Sequence, residues 1–439
     1  TPSNSSAASD VYKRQTYTLG NYTFDNLTIQ NEGKLYIPSG ESITALNSDF
    51  DLATGSLIVD GAFTANNITS LTIGKILKMG TATAVFNATS LSSLTISSGA
   101  TFTVNIFSST TTNFPNLTDL TIDGTLTHLP NTNTKTYYIE LSLTNLTINV
   151  GGAINANKKG YSGDEGPGAG EGSDSANFAA GGAGYGGKGG DGTHGAGGLS
   201  YGSLTEPIDL GSGGGHSYTS YRGGSGGGVV FLNVSNTLTI NGSISSNGEN
   251  GQGAGVNSYA GGGGSGGSIY IITSNLEGNG LIEAKGGKGA SASSGPSPGD
   301  GGGGAGGRIA IYSKTGIPVN LTVNGGWGYE YGQMGSIYLE YPAISLNLND
   351  TDFIVYTNQS LLLYGIANVV EEIHNETLNQ TNTTPITEGN VSIYINGTFQ
   401  DKVPLNSTGG YSYPFNAPLS PGPSEIKVIL VDCPNGTAE

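Results

Sequence analysis

The chain has 439 residues, 75 of them glycine and only 11% charged, and its 33 Asp and Glu against 16 Lys and Arg give a formal net charge of −17. That balance argues against a nucleic-acid partner, which needs a basic face to meet the phosphate backbone. Cys433 is the single cysteine, so neither an internal disulfide framework nor a cysteine zinc site is expected.

Taken from the start, Val11-Tyr12-Lys13-Arg14-Gln15 resembles the translated end of a sequencing-library adaptor, and 1–15 are expected to be non-native. Over 16–157 a short phrase recurs: Leu27-Thr28-Ile29, Leu57-Ile58-Val59, Leu71-Thr72-Ile73, Leu94-Thr95-Ile96, Leu120-Thr121-Ile122 and Leu146-Thr147-Ile148. The last four start 23, 26 and 26 residues apart. Alternation with period two means strands, and the Gly and Asn between them mean turns. A spacing of this size is one coil of a β-solenoid. Apolar positions never recur with helical spacing, and no apolar run approaches the roughly 18 residues of a membrane-spanning helix.

From 158 to 341 glycine takes over, and Gly-Gly-x-φ-x-φ recurs as Gly226-Gly227-Gly228-Val229-Val230-Phe231, Gly266-Gly267-Ser268-Ile269-Tyr270-Ile271 and Gly306-Gly307-Arg308-Ile309-Ala310-Ile311. Gly335-Ser336-Ile337-Tyr338-Leu339 follows at a shorter interval. A fixed period near 40 residues marks stacked units that bury their faces only against neighbours. The phrase Leu146-Thr147-Ile148 returns as Leu238-Thr239-Ile240, which predicts one continuous solenoid whose later coils carry glycine-rich excursions such as 161–198 and 248–267. Without side chains, those excursions can pack as extended, polyproline-II-like strands.

Residues 301–312, Gly-Gly-Gly-Gly-Ala-Gly-Gly-Arg-Ile-Ala-Ile-Tyr, resemble a segment that follows parallel β-helix coils in a large group of prokaryotic cell-surface proteins. The resemblance covers 140–341 well and the earlier coils more loosely. It implies an adhesin, sheath or surface-layer component and carries no agreed active site. Beyond 342 the strands shorten, Asn396-Gly397 is a hairpin turn, and 391–431 are similar to immunoglobulin-like modules of surface proteins. The expected fold is therefore all-β: a parallel β-helix over 16–157, its glycine-rich continuation over 158–341, and an Ig-like β-sandwich over 342–439, for which truncation is considered.

Asn-x-Ser/Thr sequons stand at Asn4, Asn21, Asn26, Asn67, Asn87, Asn116, Asn145, Asn233, Asn241, Asn320, Asn349, Asn358, Asn375, Asn379, Asn382, Asn390, Asn396, Asn406 and Asn435. None falls between 158 and 232, where a glycan could not fit among close-packed backbones. The distribution predicts an extracellular glycoprotein with a sugar-free glycine core.

Chemistry is sparse. The stretch from Gly182 to Lys188 has phosphate-loop spacing but continues with Gly189 where a hydroxyl would hold Mg²⁺. His128, His194, His216 and His374 show no paired-ligand spacing. Asp164, Glu165, Glu171 and Asp174 are the candidate oxygen ligands for Ca²⁺, the one cofactor considered. Tyr161, Tyr185, Tyr201, Tyr218, Tyr221, Tyr259, Trp327, Tyr329 and Tyr331 punctuate the glycine loops, either stacking on sugars or covering glycine backbone. Trp327, Tyr329 and Tyr331 are the candidate carbohydrate contacts. No catalytic residue is assigned, and a β-helix polysaccharide lyase or hydrolase is the minority reading. The expected partners are other copies of the chain and surface polysaccharide.

Overall fold

A computed structural model describes residues 20–340, without 26, 30–32, 47–49, 53, 82–83, 105, 108–113, 176–177, 219, 254–258, 292–300 and 316–318, and beyond them chiefly the backbone of strands between 343 and 438. The segment 1–15 lies outside the described residues. All regular elements among the described residues are strands.

Up to residue 340 every strand pairing is parallel, which requires a crossover between neighbours, and here each crossover is one coil of a spiral of stacked strands. The long sheet runs through Ser70–Ile73, Ser93–Ile96, Asp119–Ile122, Tyr138–Ile148, Val229–Ile240, Ser268–Glu277, Arg308–Ser313 and Ser336–Glu340. A side sheet stacks nine short strands from Lys34–Ile37 to Asn320–Thr322. Asn21–Phe24, Ser42–Ala45, Ala62–Ala65 and Val85–Asn87 form a third face of the early coils.

Register explains the sequence rhythm. Leu71, Leu94, Leu120, Leu146 and Leu238 stand opposite one another across successive coils, as do Ile73, Ile96, Ile122, Ile148 and Ile240, and all of these side chains are buried. The intervening threonines face outward. Leu57-Ile58-Val59 does not join this column, because it belongs to the side sheet opposite Leu35 and Leu77. Leu27-Thr28 pairs instead with Phe50–Asp51. Similar triplets thus serve different faces, since alternation fixes which side chains are buried and not which sheet they join.

In the first coils the three faces enclose Phe63 and Phe86, stacked with centroids 5.1 Å apart, and Phe114 lies 5.3 Å from Phe86. One hydrophobic core then continues from Ile29 to Val323 without a break at 157/158. The strands of the long sheet lengthen from four residues to eleven at Tyr138–Ile148 and twelve at Val229–Ile240. Register shifts beside Leu143 and Val234 let one strand cover the ground of two.

The glycine-rich excursions leave after side-sheet strands and return into the long sheet, occupying 156–228, 246–267, 284–307 and 323–335. Their backbone hydrogen bonds have a period of three. Ala180 and Ala183 donate to Ala260 and Gly263, Gly181 and Gly184 to Glu171 and Gly168, and Gly182 to Gly190. The carbonyls of Ala180 and Ala183 accept from Gly302 and Ala305, those of Gly182 and Tyr185 from Gly198 and Tyr201, and that of Gly181 from Gly215. The next excursion repeats the arrangement: Gly261, Gly264 and Gly267 donate to Gln252, Glu249 and Ser246, while Gly263 and Gly266 donate to Gly302 and Ala305. Three residues per turn with every hydrogen bond passing to a neighbouring segment is the pattern of packed polyproline-II strands. A Cβ at Gly262 would lie inside the carbonyl of Gly181, and one at Gly303 inside that of Gly326, so the spacing admits only glycine there.

Beyond 340 the pairing becomes antiparallel. Ala343–Leu348, Ser360–Asn375, Leu378–Pro385 and Gly410–Asn416 form one four-stranded sheet, and Asn390–Ile395, Thr398–Pro404, Ile426–Cys433 and Gly436–Ala438 form another. The expected turn at Asn396-Gly397 lies outside the described residues, between two strands that do pair.

Candidate functional site

The arginine of the Gly-Gly-Arg-Ile-Ala-Ile-Tyr phrase is buried where the glycine lattice meets the long sheet. Arg308 Nη2 donates to the carbonyl of Tyr201 at 2.7 Å and to that of Tyr185 at 3.3 Å, Nε donates to Tyr201 at 3.0 Å, and Nη1 donates to Ser336 Oγ at 2.9 Å. Its guanidinium also lies 5.4 Å from the Tyr185 ring centroid. Tyr185 Oη shares a 2.6 Å hydrogen bond with Ser268 Oγ, and Tyr201 Oη lies 2.8 Å from Ser212 Oγ. Burial pushes both phenols above their ordinary range. This arginine therefore fastens the first excursion to the last coils, and Tyr185 and Tyr201 cover glycine backbone.

The glycines from Gly182 to Lys188 cannot act as a phosphate loop: the amides of Gly182, Ala183, Gly184, Tyr185 and Gly186 all donate to backbone carbonyls. Lys188 Nζ is 2.9 Å from Asp191 Oδ1.

Of the four candidate Ca²⁺ ligands, Asp164 and Asp174 converge on His216. Asp164 Oδ1 lies 2.7 Å from His216 Nδ1 and accepts from the His216 amide at 2.8 Å, while Asp174 Oδ1 lies 3.2 Å from Nε2. Burial pushes the imidazole pKa down, but the hydrogen bonds and charges of Asp164 and then Asp174 outweigh it, and the pKa is raised. Glu171 turns away and accepts from the Ala196 amide at 2.9 Å, and the Glu165 carbonyl accepts from Gly213. Among the described residues no group of three or more His, Cys, Asp and Glu is arranged to hold a metal ion.

Trp327 is half-buried on the lattice, its carbonyl accepting from Gly289. Tyr329 and Tyr331 beside it are 52% and 67% exposed. Tyr218, Tyr221 and Tyr259 form a separate cluster, with Tyr259 5.5 Å from each of the others.

Sequons divide by exposure. Asn21, Asn67, Asn116, Asn233, Asn320 and Asn406 are exposed, and Asn87, Asn145, Asn241 and Asn390 are half-buried. Asn26, Asn349, Asn358, Asn396 and Asn435, with the side chains of Asn375, Asn379 and Asn382, fall outside the described residues. Several amides are already engaged: Asn67 donates to Leu46 O, Asn116 to Thr89 O, Asn320 to Asn279 O, and Asn145 to Asp119 Oδ1.

One surface escaped sequence reading. Phe231, Tyr270, Tyr312 and Tyr338 lie on the outer side of the long sheet in four successive coils. Phe231 and Tyr270 stack at 4.7 Å, Tyr270 meets Tyr312 edge-on at 5.7 Å, and Tyr312 lies 5.6 Å from Tyr338. Burial, followed by the charge of Glu206, pushes the Tyr270 phenol up to about 12. The signal was present, because three of these rings occupy outward positions in the alternating triplets of the repeated phrase.

No protein-family model matches the chain, and no curated protein or solved structure is significantly similar to it. No helix among the described residues is long and apolar enough to cross a membrane.

Proposed function

We propose that the chain is an extracellular, glycosylated structural protein of the cell surface, whose coils and glycine lattice make a stiff body that associates with further copies of itself. The observation that supports this reading is the single core running from Ile29 to Val323 with a hydrogen-bonded glycine lattice laid along it. Such a body resists bending because each coil is fixed by its strands and, from residue 156 on, by its excursion as well. At the last coil, Ile337 and Leu339 continue the interior columns of Ile309 and Ile311, yet each is 39% exposed. An end of that kind templates a further layer, and repeated head-to-tail contact gives an open polymer. In this reading the antiparallel strands beyond 342 are an Ig-like spacer.

Electron microscopy of purified native material tests the proposal. Ordered filaments or sheets are expected, and uniform single particles across the accessible concentration range would overturn self-assembly. A second reading, a carbohydrate-binding adhesin, draws on the exposed Tyr329 and Tyr331 flanking Trp327. It requires Trp327→Ala to abolish binding to surface polysaccharide.

A further inference from the structure

We infer that Asn233 carries an N-linked saccharide and that the outer aromatic row is built to seat it. The inference rests on the glycoprotein reading above and assigns that reading a particular site. The exposed side chain of Asn233 makes no hydrogen bond among the described residues, whereas Asn67, Asn116 and Asn320 donate from Nδ2 to backbone carbonyls and Asn21 Oδ1 accepts from Ser42 Oγ. Modification at Asn233 therefore takes its amide nitrogen from no internal partner, whereas at Asn67, Asn116 and Asn320 the amide nitrogen already donates to a backbone carbonyl.

The strand period does the rest. In Val229–Ile240, Phe231 and Asn233 are two residues apart and both face outward, between buried Val230, Leu232 and Val234. Across the next coil, Tyr270 stands opposite Phe231 and Ile272 opposite Asn233, and one coil further Tyr312 stands opposite Ile272. The asparagine thus sits at the margin of a shelf made by Phe231, Tyr270, Ile272 and Tyr312. On its other side the facing residue is the small, exposed Ser142. The shelf has an apolar body and phenolic hydroxyls at its edge, which suits a pyranose: C–H faces pack on the rings while sugar hydroxyls hydrogen-bond to the Tyr270 phenol and donate to Tyr312 Oη, which itself donates to the Thr205 carbonyl at 3.1 Å.

The modification consumes a saccharide linked through its anomeric carbon to a lipid diphosphate. Asn233 Nδ2 forms the C–N bond as the C–O bond breaks, the diphosphate leaves with the electron pair, and the amide gives up one proton. The remaining N–H and the carbonyl stay available to the shelf.

The test uses the full chain expressed in a host that N-glycosylates. Glycopeptide mass spectrometry reads occupancy at each sequon, and the rate at which peptide-N-glycosidase releases the saccharide from the folded protein is compared for wild type, Phe231→Leu, Tyr270→Leu and Tyr312→Leu. Expected is an occupied Asn233 whose saccharide is released roughly fivefold faster when a ring is removed, the factor a single aromatic contact is worth. Release at other occupied sequons stays unchanged, which separates loss of the seat from loss of the fold. An occupied Asn233 with the same release rate in all three variants overturns the seat and leaves the glycoprotein reading standing. A bare Asn233 beside occupied sequons also overturns the inference. A chain bare at every sequon fails both readings together.

Discussion

His128 makes the fold acid-sensitive in a way that can be calculated. Its side chain takes the place in an interior column that Ile37, Val59, Met79 and Val104 fill in earlier coils, and it is fully buried. Nδ1 is 2.8 Å from the Leu129 carbonyl, whereas Nε2 has no hydrogen-bond partner. Burial holds the imidazole pKa down at about 3, against an ordinary value of 6.5; the Leu129 hydrogen bond offsets part of this, and the charge of Lys159 adds to it. The native ring is therefore neutral where the unfolded ring takes up a proton, so stability falls as pH drops below 6.5 and goes on falling toward 3. Well inside that window each pH unit costs about 1.4 kcal/mol, so the loss on going from neutral pH to pH 4.5 is about 3 kcal/mol. His128→Leu removes the titrating group and places methyl groups in an apolar column. Urea unfolding of both proteins at pH 7.5, 6.0, 5.0 and 4.5 gives the assay, and carboxylates that titrate in both cancel in the difference. The variant should gain on wild type progressively below pH 6.5, by about 3 kcal/mol at pH 4.5. A difference that stays flat from pH 7.5 to 4.5 would refute the assignment of a buried neutral imidazole.

Three further outcomes follow from the same geometry. Gly262→Ala drives a methyl into the Gly181 carbonyl and should lower unfolding stability by about 3 kcal/mol, whereas Gly99→Asn, at a left-handed φ of 77° with open space around it, should cost under about 1 kcal/mol. Arg308→Met strips the Tyr201 carbonyl of its buried donor and leaves the Tyr185 carbonyl with the Tyr201 amide alone; a loss of about 3 kcal/mol is expected, with faster hydrogen exchange from Gly182 to Gly190, and Arg308→Lys should recover only part of it. For His216 the sign runs opposite to His128: its raised pKa gives a contribution complete below pH 6.5 and lost as pH rises through the folded value. Because Asp174 is largely exposed, the effect stays under about 1 kcal/mol, and it should appear as higher intrinsic-rate-corrected protection of the Ser173 amide at pH 6 than at pH 8, abolished in His216→Asn.

The columns written in side chains were legible, whereas for the backbone-packed excursions only the kind of packing was legible and not the partners. Alternating Leu-Thr-Ile phrases announce strands because burying every second residue leaves a mark in composition, and the columns from Leu71 to Leu238 follow from it. The same phrase could not say that Leu57 joins the other sheet, since both sheets ask for the same alternation. In the excursions glycine points to close-packed, polyproline-II-like strands but not to their partners, so which carbonyls Ala180, Ala183 and their neighbours meet is invisible until the segments are brought together. The acidic cluster misled differently: proximity in sequence grouped Glu171 with Asp164, whereas the fold gives Asp164 to His216 and Glu171 to a backbone amide. Phe231 and Tyr270 were read as strand formers, which they are, and their outward stacking depends on a register that a single sequence does not state.

The two kinds of structure solve one problem jointly. Glycine loses more freedom on ordering than any other residue, and an isolated polyproline-II strand has no internal hydrogen bonds to offset that loss. Bonds to neighbours can do so only if the neighbours are already in place. The 40-residue period supplies them: each unit gives one long strand, one side-sheet strand and one glycine segment, so stacking the strands sets the next segment beside the last. The segment around Ala180 to Tyr185 bonds to residues from two later excursions, 260–263 and 302–305, and the carbonyls of Tyr185 and of Tyr201 further along the same excursion are held by Arg308. The earliest excursion is thus completed by the latest coil. A cooperative unit spanning the whole glycine block follows, which is why the chain can carry 75 glycines and still hold a single register.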